Sequence, residues 1–452
     1  MRTATSAALA AALLTAGLTP LALSTPAAAA VAKQYDDFNG DGHRDLAFQG
    51  HSRDGGGSGA VTVVYGGAKG PDTAHTQTVD QDSPGVPGTD EEDDLFGEAL
   101  AGADLDKDGY SDLVVGNPTE KVGRDEYRGT VTILWGSASG LSGGTTLTPK
   151  SYANRSQAHF GASLATGDFT GDGSPDLAVV GGMETWLYRG PFTKAGHTGT
   201  VSEIDKTDAG WYSSRLVAGN VNGDGRTDLV VLGEQFSSAG DSTPKQRAWF
   251  LKGSSSGLVS GASKTLPAGA WDAAIGDFDK DGYGDIALGL PDQDHGKGAV
   301  TVWRGSSSGP SGSTTFTQAT TGVSGTPEAD DHFGAAVSAG DTNGDGYADL
   351  AVGVPLEDVD GTEDQGGVHV FRGGSGGLSG SRSSWIPETT AAPATTDAEF
   401  GYTVRLRDLT GDGRGELAIG LMGGAVLLRG TSTVPATSGA VRLPMVGGAF
   451  LD

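Results

Sequence analysis

The stretch "DLDKDGYSDLVVGNP", residues 104–118, sets four aspartates within nine positions and then turns abruptly apolar. Asp104, Asp106, Asp108 and Asp112 repel one another unless a positive charge sits among them. The phrase is not alone. Counterparts begin at Asp37, Asp168, Asn220, Asp277, Asp341 and Asp408, at intervals of 52 to 67 residues, so the chain is one repeat array.

Around each acidic phrase the pattern is constant. An alternating stretch precedes it, as in "FGEALAGAD" (96–104) and "FGAAVSAGD" (333–341). An apolar run follows, then a third alternating run such as "GTVTILWGS" (129–137), then a weaker fourth such as "STTFTQATT" (313–321). Period-two alternation, β-branched residues and glycine-rich boundaries predict strands. Four strands in each of seven repeats predict an all-β fold, a seven-bladed β-propeller of four-stranded antiparallel blades.

Composition agrees. The chain of 452 residues has 77 glycines, 36% apolar residues and no cysteine, which excludes disulfides, thiolate catalysis and cysteine-held zinc. A formal charge of −27 speaks against nucleic acid as a partner, because phosphates need basic residues to neutralise them. Arg2, the apolar run 7–23 and the small residues ending at Ala30 read as a secretory signal peptide over residues 1–30, cut before Val31. The run is short, is interrupted by Pro20 and lacks a basic flank, so no membrane span is expected. Residues 31–452 are then a single propeller, secreted, extracellular and monomeric.

Each loop presents oxygen ligands at its positions 1, 3, 5 and 9, glycine at 6, and a backbone carbonyl at 7. Position 1 is Asp37, Asp104, Asp168, Asn220, Asp277, Asp341 or Asp408, and position 3 is Asn39, Asp106, Thr170, Asn222, Asp279, Asn343 or Thr410. Position 5 is Asp41, Asp108, Asp172, Asp224, Asp281, Asp345 or Asp412. Position 7 is His43, Tyr110, Ser174, Arg226, Tyr283, Tyr347 or Arg414, and position 9 is Asp45, Asp112, Asp176, Asp228, Asp285, Asp349 or Glu416. Several carboxylates with oxygen-only ligation suit Ca²⁺ before Mg²⁺. An EF-hand is excluded because position 12 is Phe48, Val115, Val179, Val231, Leu288, Val352 or Ile419, never acidic. A metal-free Asp/Asn/Gly turn is the remaining rival. The loops from Asp37, Asp104, Asp277 and Asp341 carry the better ligand sets; those with Thr170 and Pro175, with Asn220 and Asn222, and with Thr410 and Glu416 are weaker. About four strong Ca²⁺ sites, and up to seven in all, are expected.

Phe-Gly, the acidic loop and a Gly-x-Pro ending together resemble the FG-GAP repeat of the integrin α-subunit N-terminal propeller, also found in secreted bacterial proteins. The likeness runs from about Asp36 to Gly430. It departs in the fourth and fifth repeats, where Trp211 and Trp271 stand near the place of Phe-Gly, and in the first, whose opening strand is only "VAKQYD". The closing "GGAFLD" (447–452) is read as completing that first blade from the other terminus.

Strands alternate in direction, so the acidic loops and the short 3–4 loops share one end. The other end carries the long loops 80–94, 117–129 and 355–367, where integrin-type propellers bind partners; a protein or glycan partner is expected there. "GSSSG" at 253–257 and 305–309 matches a nucleophile-elbow pattern, but strands flank it on both sides, so Ser255 and Ser307 read as turn residues. Some phospholipases carry FG-GAP propellers beside a catalytic domain, and no room for one is expected here. The chain is read as a non-enzymatic binding or adhesion module. The alternatives are a hydrolase or lectin with a site in the central channel or on the long-loop face. Trp135, Trp186, Trp249 and Trp303 fall on third strands, where core packing is expected.

Overall fold

The apolar run after each acidic phrase becomes a strand walled in on both faces. In the computed structural model, which describes residues 32–451 apart from 33, 52–58, 151–154, 183, 198, 205–209, 238–242, 391–397 and 444–449, Asp112–Asn117, Asp285–Leu290, Asp349–Val354 and Glu416–Leu421 are buried throughout. Each is the second strand of a four-stranded antiparallel sheet. In the second blade the order is Ala99–Ala103, Asp112–Asn117, Thr130–Trp135 and Ser142–Thr146, with Ala103 opposite Asp112 and Val114 opposite Ile133. Six such blades, with a first one completed from the far end of the chain, make a seven-bladed β-propeller, as the repeat arithmetic predicts. The predicted signal peptide lies outside the described residues.

The first blade differs. Its own strands are Leu46–His51, Gly59–Val64 and Thr76–Val79, three rather than four. The missing edge is supplied from the far end of the chain: Phe450 bridges antiparallel to Phe48, and the Leu451 N–H donates to Ala47 O at 2.9 Å. The "VAKQYD" stub serves otherwise. Its Asp36, fully buried, takes Arg44 Nη1 at 2.8 Å and Arg407 Nε at 3.3 Å, and both guanidinium groups lie over the Tyr35 ring.

Phe-Gly fastens one blade to the next. Phe96, Phe160, Phe333 and Phe400 are buried, and each lies against the glycine that precedes the third strand of the blade before it. A Cβ on Gly59 or Gly129 would come within 2.4 Å of the Phe96 or Phe160 backbone, so only glycine permits the approach. Trp211 is buried between the third and fourth blades, among Val180, Leu187 and Trp249, whereas Trp271 is 43% exposed. Trp135, Trp186, Trp249 and Trp303 are buried on third strands, as their positions predict. The third blade adds a small hairpin, Phe192–Thr193 with Gly196–His197, which the sequence reading did not foresee.

Where the first strands converge on the axis, Ala and Gly predominate, as in Ala99–Ala103 and Val337–Gly340, because backbones crowd together; the seventh blade's Val404–Arg407 is the exception. A Cβ on Gly102 would meet Tyr35 O at 2.3 Å, and one on Gly219 would meet Ile275 at 2.9 Å. These strands line a central cavity of about 530 Å³, with Thr166, Ser338, Arg405 and Arg407 as polar wall groups.

Candidate metal centres and binding face

In the loop from Asp104 to Asp112 the aspartates organise the backbone before any ion is considered. Asp104 Oδ1 accepts from Asp108 N (3.0 Å) and Oδ2 from Gly109 N (3.2 Å); Asp106 Oδ1 accepts from Asp108 N (3.2 Å), and Asp108 Oδ1 from Tyr110 N (3.1 Å). One carboxylate oxygen each from Asp104, Asp106 and Asp108 lies within 4.8 Å of the others, and so do those of Asp277, Asp279 and Asp281. Among the described residues these are the two acidic groups so gathered. Asp279 Oδ1 is buried and has no hydrogen-bond donor among the described residues, an acceptor that a cation could satisfy. In the Asp104 loop, Lys194 from the extra hairpin reaches Asp108 at 3.0 Å and Asp106 at 3.5 Å. Both observations fit a site that needs positive charge.

The loops with weaker ligand sets differ in their contacts too. At position 3 of the third and seventh loops, the Thr170 and Thr410 hydroxyls donate to Asp168 and Asp408, and they bring a neutral oxygen where the better loops bring a carboxylate or an amide oxygen. In the fourth loop Lys252 and Arg226 already lie on Asp224, and in the seventh Arg414 lies on Asp412. In the first and sixth, Asn39 Oδ1 and Asn343 Oδ1 accept from Asp41 N and Asp345 N at 2.9 Å.

Position 9 has a structural duty that spacing alone did not reveal. Asp112 is fully buried; its Oδ2 accepts from Leu105 N (2.8 Å) and its Oδ1 from Gly136 N (2.9 Å). Asp45, Asp176, Asp228, Asp285 and Glu416 repeat the pair of bonds, clamping the acidic loop to the glycine that opens the 3–4 loop. Burial pushes Asp45 and Asp112 up to about 8, with the neighbouring loop aspartates adding repulsion against the pull of the backbone donors. The clamp glycine has no space for a side chain, since a Cβ on Gly66 would sit 1.9 Å from Arg44 O. That recurrent glycine was the signal in the sequence.

The loops also touch one another in a closed circle. The position 7 side chain of each covers position 4 of the loop before it: Tyr110 lies on Gly40, Arg226 on Gly171, Tyr283 on Gly223 and Arg414 on Gly344. Lys107 Nζ donates to Ser174 Oγ (3.0 Å), and Lys280 Nζ lies over the Tyr347 ring. His43 on Gly411 closes the circle between the first and seventh loops. Position 7 therefore contributes its side chain to packing as well as presenting a carbonyl. Position 4 has positive φ throughout, including Lys107 (61°) and Lys280 (59°).

The two GSSSG segments are turns. Ser254 Oγ donates to Gly257 O (2.7 Å) and Ser306 Oγ to Gly309 O (2.6 Å), as Ser137 and Thr431 do in other blades.

At the opposite end the surface changes character. Leu95, Tyr127, Tyr212, Trp271, Tyr402 and Met422 are large apolar side chains exposed there, most of the exposed ones in the described residues. Several are paired: Tyr127 with His159 (5.9 Å between ring centroids), Tyr212 with Phe236 (4.7 Å) and Trp271 with His332 (5.4 Å). Trp271 Nε1 donates to Asp292 Oδ2 at 2.9 Å. Acidic loops surround them; residues 80–98 carry eight carboxylates and no lysine or arginine.

Beneath these loops Glu120 Oε2 accepts from both Gln81 Nε2 and Asn117 Nδ2 at 2.7 Å. Burial, reinforced by Asp94 and Glu91, pushes Glu120 up to about 7 against its ordinary 4.5. Between those values the folded chain holds a proton that the unfolded chain releases. Its contribution to stability is therefore complete below about pH 4.5 and is lost as pH rises through 7, on the order of 2 kcal/mol. Glu120→Gln is expected to flatten this part of the pH dependence of the urea midpoint; an unchanged slope refutes the assignment.

Comparison with known families now decides what the repeats are. A model of the FG-GAP repeat matches residues 96–134 and 333–371, and a model of an FG-GAP-like repeat matches 168–231. The chain carries FG-GAP repeats. The segments 96–134 and 333–371 each open on Phe-Gly and run through the acidic loop to the third strand, whereas 168–231 begins at an acidic loop and ends just past the next one. The FG-GAP chain is 32% identical over 176 residues to phosphatidylinositol-glycan-specific phospholipase D of Bos taurus, covering 35% of this chain and 21% of that protein. It is 28% identical over 231 residues to integrin alpha-PS2 of Drosophila melanogaster, covering 47% and 16%. It is 27% identical over 268 residues to integrin alpha-5 of Xenopus laevis, covering 58% and 20%. The matched region spans about a fifth of each of these relatives. Among the described residues no helix is long and apolar enough to cross a membrane.

Proposed function

We propose that this FG-GAP propeller is a secreted, extracellular, monomeric and non-enzymatic binding module, one domain over residues 31–452, stabilised by Ca²⁺ in its acidic loops. Asp104, Asp106 and Asp108, and Asp277, Asp279 and Asp281, would hold the best-bound ions, through hard oxygens that suit Ca²⁺. The loops from Asp37 and Asp341 come next. The third and seventh loops, with threonine at position 3, and the fourth, with asparagine at positions 1 and 3, hold an ion weakly; in the second loop an ion displaces Lys194 from Asp106 and Asp108. The ions' work is structural: they neutralise clustered carboxylates and fix loops that already touch in a circle.

The observation that carries the binding role is the gathering of exposed aromatic side chains among acidic loops at the end away from the metal loops. Aromatic anchors supply rigid contact area, and the surrounding carboxylates favour a partner with basic groups. Integrin names among the relatives support a protein partner; a glycan stacked on Trp271 is the alternative on the same face.

One experiment tests both parts. Binding of the full chain to arrays of extracellular proteins and glycans is measured in Ca²⁺ and in EDTA, with Trp271→Ala and, as control on an outer strand, Val259→Ser. Melting temperature is followed in parallel. Ca²⁺ is expected to raise the melting temperature by ten degrees or more, roughly what several saturated sites contribute. Trp271→Ala is expected to weaken binding at least tenfold, about 1.4 kcal/mol, with melting unchanged. Binding that survives Trp271→Ala and falls with Val259→Ser moves the partner off the long-loop face. A melting temperature indifferent to Ca²⁺ reduces the acidic loops to turns.

A further inference from the structure

The long-loop end contains one polar arrangement twice, with a single decisive difference. Between the first and second blades, Asn117 Nδ2 donates both to Glu120 Oε2 (2.7 Å) and to Gln81 Oε1 (3.1 Å), while Gln81 Nε2 donates to Glu120 Oε2 (2.7 Å). Asp94 stands beside them, its Oδ2 accepting from Glu91 N at 3.2 Å. Between the fifth and sixth blades, Gln318, Glu328, Asp331 and Glu357 recur at the same spacings as Gln81, Glu91, Asp94 and Glu120. Gln318 Nε2 donates to Glu357 Oε2 (2.5 Å), and Asp331 Oδ2 accepts from Glu328 N (2.5 Å).

The residue in the place of Asn117 is Val354, which is fully buried and has nothing to donate. Among the described residues Gln318 Oε1 is consequently left without a hydrogen-bond donor, on a side chain only 3% exposed. Its direction follows from the sister site. The amide nitrogen is pinned on Glu357 as that of Gln81 is on Glu120, so the oxygen faces the slot that the Asn117 amide fills in the first copy. Gly325 lies over the slot; a Cβ there would fall 2.6 Å from Gln318 Nε2 and 3.1 Å from Glu357 Oε1. Asp331 and Glu357, both buried, stand where Asp94 and Glu120 meet the Asn117 amide in the first copy. A buried amide oxygen with no donor beside two buried carboxylates is costly unless a positive group enters.

We propose that the slot bounded by Gln318 Oε1, Asp331 and Glu357 is a divalent-cation site, separate from the acidic loops at the other end. The ion fastens the 317–334 connection to the 355–366 loop. Its donors are hard oxygens, two carboxylates and one amide, which admit Ca²⁺, Mg²⁺ or Mn²⁺ and leave positions for water. In the first copy the Asn117 amide occupies the equivalent position and no ion is needed. The proposal stands independently of what the long-loop face binds.

Mn²⁺ is the probe, because it scatters anomalously and is counted by its electron paramagnetic resonance signal. Crystals of the full chain grown with Mn²⁺ are expected to show an anomalous peak between Gln318 and Glu357. Val354→Asn, which copies the first site, is expected to bind one Mn²⁺ fewer per chain than the parent, with unchanged melting in EDTA. Glu357→Gln also loses that ion, and Asn117→Val gains one between the first and second blades. An empty slot in the Mn²⁺ map, or a Val354→Asn chain that binds as many ions as the parent, overturns the proposal. If Val354→Asn does not fold, the map of the parent chain decides.

Discussion

Asp112→Ala is expected to lower the stability of the chain by about 4 kcal/mol, because two buried amides, Leu105 N and Gly136 N, lose their acceptor together. Each buried donor left unsatisfied costs about 1–3 kcal/mol, and the fully buried site gives water little access. The loss should appear equally in Ca²⁺ and in EDTA, since the clamp binds backbone to backbone beneath the loop. Asp106→Ala provides the contrast. Its side chain reaches Asp108 N and Lys194 at the loop surface, so its effect should be small in EDTA and appear when Ca²⁺ is present. Urea midpoints of both variants in both buffers decide the matter. A loss below about 1 kcal/mol for Asp112→Ala would mean that the 3–4 loop is held by other contacts.

Phe450→Ala is expected to cost about 3 kcal/mol, at the lower end for a buried phenylalanine. Its ring meets Phe48 edge-on, with centroids 6.1 Å apart at 76°, and packs with Leu46, Leu409, Leu427 and Leu443 across the join of the first and seventh blades. The join is where the ring opens, so amide exchange should accelerate first in Leu46–His51 and Val404–Arg407, and later in the blades opposite. Uniform exchange across all blades would place closure elsewhere, at the Tyr35, Asp36, Arg44 and Arg407 cluster.

These two variants mark the boundary between what was legible in the chain and what was not. The number of blades, the strand order and the positions of the acidic loops follow from one phrase repeated seven times, because strand periodicity and turn residues act locally. The buried third-strand tryptophans follow for the same reason. Position 9 was legible as an oxygen donor and illegible as a clamp, since Gly136, which completes it, lies on another strand. Trp271 stood where Phe-Gly was expected, and only packing distinguishes it, exposed, from the buried Trp211.

The sequence by itself determined the fold class, the seven-fold repetition and the segregation of loops to two ends, since hydrophobic alternation and glycine placement are properties of neighbouring residues. Tertiary structure alone decided how the ring closes, which loops gather their carboxylates, and that Gln318 lacks the donor which Asn117 gives to Gln81. Those outcomes depend on groups brought together from distant parts of the chain, where burial and the absence of water fix which charges and hydrogen bonds find partners.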